Sequence, residues 1–430
     1  MPSAATVAEP AGAQRRVGGT GRRAGMAAAA ILIVLVVLDT LSPPGPPLNA
    51  VIGAIAYGTK TLIGVGVVVL GMWALATARL PLLFRAAMVA YVLVVLGWFI
   101  AWLLVDAGSD AVTYLLNPTY SVWSWLLILM VPIVARFNRE GAITDTVARI
   151  PLLVAVLLLV VPTVGSGLLG LTLNNSNAGV AMLLLLACRT GGVQTRGIRA
   201  LLALGVGAAM LVTGYRIYAL GSLVFILNQL PPRMTRRLLI VQVLLLSFTP
   251  LIFQFVITNY GDILVSQANQ NFFDTRSFLF EELINDFSFS EIWTGRGLRG
   301  SYYSPYFFNI AKNYGQAVGY TNIWRTSSEI GWLNVVLHMG LIGFIPFYLA
   351  LVAPVFVRAR EPLIPNDGLR RFVPVMMLLF AGELWNVISA AYFSWYLVLG
   401  ALLSAAVPSR KTESARSATT SRRVRTTAPL

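Results

Sequence analysis

Four short stretches of this chain hold residues whose types and spacing suit chemistry. Arg216 closes Thr213–Gly214–Tyr215–Arg216 at an apolar boundary where a charge is costly. Its guanidinium is a planar fork suited to phosphate or pyrophosphate, and the competing reading is an arginine reaching toward lipid headgroups. Arg276 stands in Asp274–Thr275–Arg276–Ser277–Phe278, ahead of Gly295–Arg296–Gly297–Leu298–Arg299–Gly300. Alternate glycines expose backbone N–H groups to an anion, or simply make a tight turn. Glu329, in Ser327–Ser328–Glu329–Ile330, is placed either for general-base duty or as an acidic residue favoured at a helix start, with Ser327 or Ser328 as cap.

Other polar residues are weaker candidates. His338 is the only histidine. Nine residues past Glu329, it faces the other side of a helix and lies about 13 Å deeper, as a packing or interhelical group would. Glu383 with Asn386, and Asn174, Asn175 and Asn177, are candidates for lining a polar cavity or bonding between helices. One histidine and one cysteine, Cys188, exclude a multi-histidine metal site, a CxxC site and an intrachain disulfide. No acidic cluster stands ready for a divalent ion, so neither metal nor cofactor is expected.

The elements that must position these residues are membrane helices. The 430 residues are 57% hydrophobic and 11% charged, with a mean hydropathy of +0.75. A soluble domain needs roughly a quarter charged residues. The apolar runs do not alternate at period two, which argues against a β-barrel. The expected fold is all-α and polytopic, with about twelve spans centred on 26–42, 58–77, 84–105, 119–136, 149–166, 173–188, 198–213, 215–230, 238–257, 332–356, 372–390 and 393–408. The pairs 198–230 and 372–408 read equally as one long helix or two short ones.

Charge tests this plan. The net charge of +15 does not point to nucleic acid, because the arginines fall in short clusters between apolar runs. Most of the 32 Lys and Arg fall in alternate connections and both ends, while 43–57 carries none and 106–118 only Asp106 and Asp110. The positive-inside rule then puts both termini in the cytoplasm. The resulting division is a cytoplasmic N-terminus (1–25), helices one to nine (26–257), an external segment (258–331), helices ten to twelve (332–408) and a Ser/Thr/Arg-rich cytoplasmic tail (409–430). Met26–Leu41 is read as a retained first helix rather than a cleaved signal, since Ser42–Pro47 offers no good cleavage site.

The external segment is the one large extramembrane piece, and a loop of that length is usually functional. It holds Arg276, Arg296, Arg299, Lys312 and Arg325 among seven acids and many aromatics. Interleaved aromatic and amide side chains suit sugar recognition, or form an interfacial belt. Phe278–Phe287 has helical spacing suited to lying on the membrane surface.

At these residues the chain resembles the O-antigen ligase and O-antigen polymerase superfamily of bacterial inner-membrane glycosyltransferases. Thr213–Arg216 is similar to its Thr-Gly-Ser-Arg signature, and Arg276 with Gly295-x-Gly297 to its Arg…Gly-x-Gly loop pattern. Gly340–Leu341–Ile342–Gly343 is similar to the Gly-x-x-Gly on the following helix, and Asn174–Gly179 to an Asn-rich helix start. The resemblance runs over roughly 25–405. It departs where ligases carry His-Asn: Glu329–Ile330 stands there, which favours a polymerase or divergent transferase over a ligase.

The resemblance implies transfer of glycan from an undecaprenyl-pyrophosphate carrier to a hydroxyl at the periplasmic face, with localisation in the bacterial inner membrane. Glu329, Arg216 and Arg276 would be catalytic. Arg296, Arg299, Gly295, Gly297, Asn174, Asn177, Tyr215 and Arg325 would contact substrate. Expected partners are the lipid-linked glycan, membrane lipids and a glycan or lipid acceptor, with a chain-length regulator as a candidate and no nucleic acid. The alternatives are an O-antigen ligase, a transporter or flippase of lipid-linked glycans, which needs no base, and a structural scaffold, which leaves Arg216 and Glu329 without a role.

Overall fold

A computed structural model describes residues 48–105, 122–138, 216–227, 281–305, 324–326, 331–360 and 393–406, with isolated positions between 197 and 208 and at 241. These residues are mostly helical. Among them, Leu82–Val105 and Gly331–Val357 are long and apolar enough to cross a membrane. Expected spans at 26–42, 149–166, 173–188 and 372–390, and all but one residue of 238–257, lie outside the described residues, as does the junction that would decide between one and two helices over 198–230.

The first helix, α1 (Leu48–Thr77), begins directly after Pro47 and runs ten residues ahead of its expected start. A helix need not stop at the apolar boundary. The chain turns through Ala78–Pro81 into α2 (Leu82–Val105). The turn is closed by Arg85, whose Nη2 donates to the Ala76 carbonyl at 3.2 Å, placing a cation at the negative end of α1.

Next come α3 (Val122–Leu126), a 3-10 turn at Leu127–Leu129, and α4 (Met130–Phe137). Pro132 accounts for the tightened turn, because it has no N–H to give the Ile128 carbonyl four residues back. Then follow α5 (Arg216–Leu227), helical residues 281–286, α6 (Phe289–Thr294), α7 (Gly331–Arg360) and α8 (Phe393–Ala406). Two short strands, β1 (Tyr302–Tyr303) and β2 (Trp324–Arg325), pair antiparallel with Tyr302 opposite Arg325.

Packing fixes the relative senses of the helices. On α2 and α7, Val94 lies by Gly343 and Tyr91 by Phe347, with ring centroids 5.2 Å apart, so these two run opposite ways. On α4 and α8, Gly400 lies against Val131 and Val134 while Asn138 Nδ2 donates to Ser404 Oγ at 2.6 Å, so these run the same way. Gly71 of α1 faces Leu129, and Arg136 stacks over the Trp73 ring at 4.0 Å. Tyr91, fully buried, donates its hydroxyl proton to the Trp125 carbonyl at 3.0 Å and ties α2 to α3.

The α7 helix is broken. Gly340 has φ 62° and ψ −171°, which lies far outside the helical region. Before the break, Leu333 to Gly340 are all buried; after it, Ile342, Ile345 and Leu349 are exposed. Burial before the break comes partly from the stretch 283–302. Leu283 and Phe287 form one apolar cluster with Tyr302, Leu333, Val336 and Leu337. Within 281–287, therefore, the apolar face expected on the membrane surface packs on α7 instead.

Candidate functional site

The stretch 281–305 meets α7 at the break. Its local structure starts from Ser288–Phe289–Ser290–Glu291, a reciprocal cap for α6: the Glu291 N–H donates to Ser288 Oγ at 3.3 Å and the Ser288 N–H to Glu291 Oε2 at 2.7 Å. The helix ends at Gly295, with φ 76° and its N–H on the Glu291 carbonyl at 2.7 Å. The next N–H, of Arg296, crosses to the Leu337 carbonyl of α7 at 2.8 Å, and Gly300 closes a turn onto Gly297 at 2.9 Å. Trp98 of α2 completes the wall. Its ring covers Gly297, where a Cβ would meet it at 3.3 Å, and its Nε1 donates to the Thr294 carbonyl at 3.0 Å.

Arg296 is held by two acids. Its Nε donates to Glu291 Oε1 at 3.0 Å and its Nη1 to Asp286 Oδ2 at 2.5 Å. Nη1 also reaches the Ser301 carbonyl at 2.8 Å and Nη2 the Asp286 carbonyl at 2.5 Å, while the Phe287 ring lies 5.0 Å away. The Arg296 guanidinium, together with the Ser288 N–H, holds the Glu291 carboxyl down to about 2. For Arg296 itself burial works against the charge, but hydrogen bonds to Glu291 and Asp286 outweigh it and raise its pKa. An incoming phosphate would have to displace these partners, so the geometry gives Arg296 the task of holding the loop. Nearby, Ser304 Oγ donates to Glu282 Oε2 at 2.5 Å.

His338 is buried on α7, next to Leu337, whose carbonyl accepts from the Arg296 N–H. Its Nδ1 lies 3.0 Å from the Gly297 carbonyl, and it also bonds the backbone of Thr326, just past β2. The ring meets Trp125 edge-on at 5.3 Å. His338 thus fastens the turn at Gly297 and the end of β2 to α7, and its interhelical reading extends to these loop residues.

The expected site residues divide as follows. Gly295, Arg296 and Gly297 come together at the break; Arg299 is exposed on the same turn, and Arg325 is half-buried in β2. Arg216 is the first residue of α5. Tyr215, Arg276, Glu329, Asn174 and Asn177 lie outside the described residues. The roles of Asp286, Glu291 and Trp98 were not anticipated. The Ser-x-x-Glu spacing of 288–291 was the available signal for the first turn of α6; nothing in the sequence marked Trp98. Compared with models of known protein families and with curated proteins, the chain has no match.

Proposed function

We propose that this protein is a membrane-embedded glycan transferase that takes glycan from an undecaprenyl-pyrophosphate carrier and joins it to a hydroxyl acceptor outside the cytoplasmic membrane of a bacterium, in the manner of an O-antigen or exopolysaccharide polymerase. One observation carries the reading. Two separate stretches behind the family resemblance, Gly295-x-Gly297 and Gly340–Gly343, meet backbone to backbone at the break in α7. The relative helix senses also agree with those that the arginine distribution assigns.

In this reading the acceptor oxygen attacks the anomeric carbon of the lipid-linked sugar. The bond from that carbon to the pyrophosphate oxygen breaks, the electron pair leaves with the lipid pyrophosphate, and the acceptor proton passes to Glu329. A base so placed contributes roughly 10²–10⁴ in rate. Arg216 and Arg276 stabilise the charge on the departing pyrophosphate, where each donor contributes about 3 kcal/mol. Arg299 and Arg325 contact substrate, and Arg296 sets the position of the turn.

The test supplies purified protein in nanodiscs with lipid-pyrophosphate-linked repeat units and sizes the products by gel. A ladder from the wild type, lost in Arg216→Ala and Glu329→Gln, supports a polymerase; a single transfer that appears only with an acceptor lipid supports a ligase. A second reading, movement of lipid-linked glycan across the bilayer, is favoured by the discontinuity in α7, since broken helices are common in transporters. Flipping without new glycosidic bonds would establish it instead.

A further inference from the structure

Phe289 and Trp293 stand four apart on α6, on one face of a single turn, and are 79% and 43% exposed. Large apolar side chains in water are costly, and the surroundings of α6 point to lipid as what covers these two. Two contacts fix its depth. Trp293 packs its backbone against Gly340 of α7, and Thr294 accepts from Trp98 of α2. Beyond Trp98, α2 continues to Val105, about 10 Å further out. That outer stretch exposes Ile100, Leu103, Leu104 and Val105, the last two about four-fifths bare. Were α6 above the bilayer, this apolar end of α2 would stand in water beyond it.

The other helix bounds the level from the opposite direction. From Leu341 to Val357, the last residue before Arg358, α7 rises about 25 Å, most of the thickness of a hydrocarbon core. Its exposed apolar residues begin only after the break, at Ile342, Ile345 and Leu349. Before the break, Asn334 and His338 are covered by protein. Irregular backbone at membrane depth survives only where protein buries it and its polar groups are bonded. The turn meets that condition: Gly295, Gly297, Leu298 and Gly300 are buried, and the Arg296 and Gly300 N–H groups are bonded.

We infer that α6 lies at the outer acyl–headgroup boundary of the bilayer with Phe289 and Trp293 among the lipids, which sets the Gly295–Gly300 turn at headgroup depth. The inference rests on α2 and α7 spanning the membrane and is independent of any glycan transfer. Tryptophan favours this boundary because its ring is apolar and its N–H is polar. The consequence for any lipid-borne substrate is direct: its headgroup would arrive level with Arg299 without leaving the membrane.

The single native cysteine makes the test simple. In a Cys188→Ser background, Phe289→Cys and Trp293→Cys carry a nitroxide in proteoliposomes of phosphatidylethanolamine and phosphatidylglycerol. Collision with oxygen is compared with collision with a water-soluble nickel chelate. Ile345→Cys is the lipid reference and Glu281→Cys the aqueous one. The expected oxygen-to-chelate ratio at 289 and 293 is several-fold above that at 281 and no higher than that at 345. A ratio at 289 equal to that at 281 overturns the inference. So does exclusion of both reagents there, which a second copy covering this face would produce. Position 289 decides if Trp293→Cys does not fold.

Discussion

Gly295 and Gly340 touch through their backbones: a Cβ on Gly295 would fall 2.6 Å from the Gly340 nitrogen, and one on Gly340 would run into the Trp293 and Thr294 backbone. Both have positive φ with extended ψ, a region almost confined to glycine. Strain and clash therefore act together. Gly340→Ala should destabilise the protein by at least about 1–3 kcal/mol. Gly97→Ala, which meets nothing within 4 Å, should leave it unchanged or slightly more stable. Apparent melting temperatures in detergent check the contrast; equal melting of the two variants would sink it.

Arg296 binds two carboxylates and two carbonyls with one rigid fork. A lysine keeps the charge but cannot span them. Arg296→Lys should cost about 1–2 kcal/mol, reduced from the usual range for charged hydrogen bonds because the group is partly solvated. Hydrogen exchange over 286–303 should rise in that variant and not in Arg299→Lys.

The depressed carboxyl of Glu291 fixes a pH window. Folded, it loses its proton near 2; unfolded, near 4.5. The unfolded chain thus binds more protons in between, and the contribution of Glu291 to loop stability is complete above 4.5 and is lost as pH falls toward 2. Exchange across 288–301 should quicken over that interval. In Glu291→Gln this acid step should shrink.

Removing the ring of His338 leaves a cavity and unties two backbone partners at once. His338→Ala should cost about 2–4 kcal/mol and expose the stretch 295–303 to protease. His338→Gln, which keeps a donor and an acceptor, should lose less. Equal cleavage rates for wild type and His338→Ala would rule out the fastening role.

Where the chain is uniformly apolar, sequence and structure agree closely: α2 and α7 lie within two residues of their expected starts. Periodicity and hydropathy report burial in something apolar, whether lipid or protein. That is why Leu283 and Phe287 read as membrane-facing although α7 receives them. The break at Gly340 was hidden for a related reason, since glycine is common inside membrane helices and only its partner, Gly295, reveals the positive φ. Arg296 looked like an anion receptor because its type and flanking glycines were visible, whereas Asp286, ten residues back, becomes its partner only through the turn of the chain between them. Pro132 and the Ser288–Glu291 cap were legible in principle, because each acts on its own neighbours.

The pairing of Tyr302 with Arg325, and the bonds from His338 to Gly297 and Thr326, bring the chain back to the place it left. The connection between β1 and β2 therefore has its two ends held together. Lengthening such a connection costs little, about 0.6 kcal/mol for each doubling. An insert placed between β1 and β2 would therefore leave the frame beneath in register, because the bonds that set it all lie outside the insert.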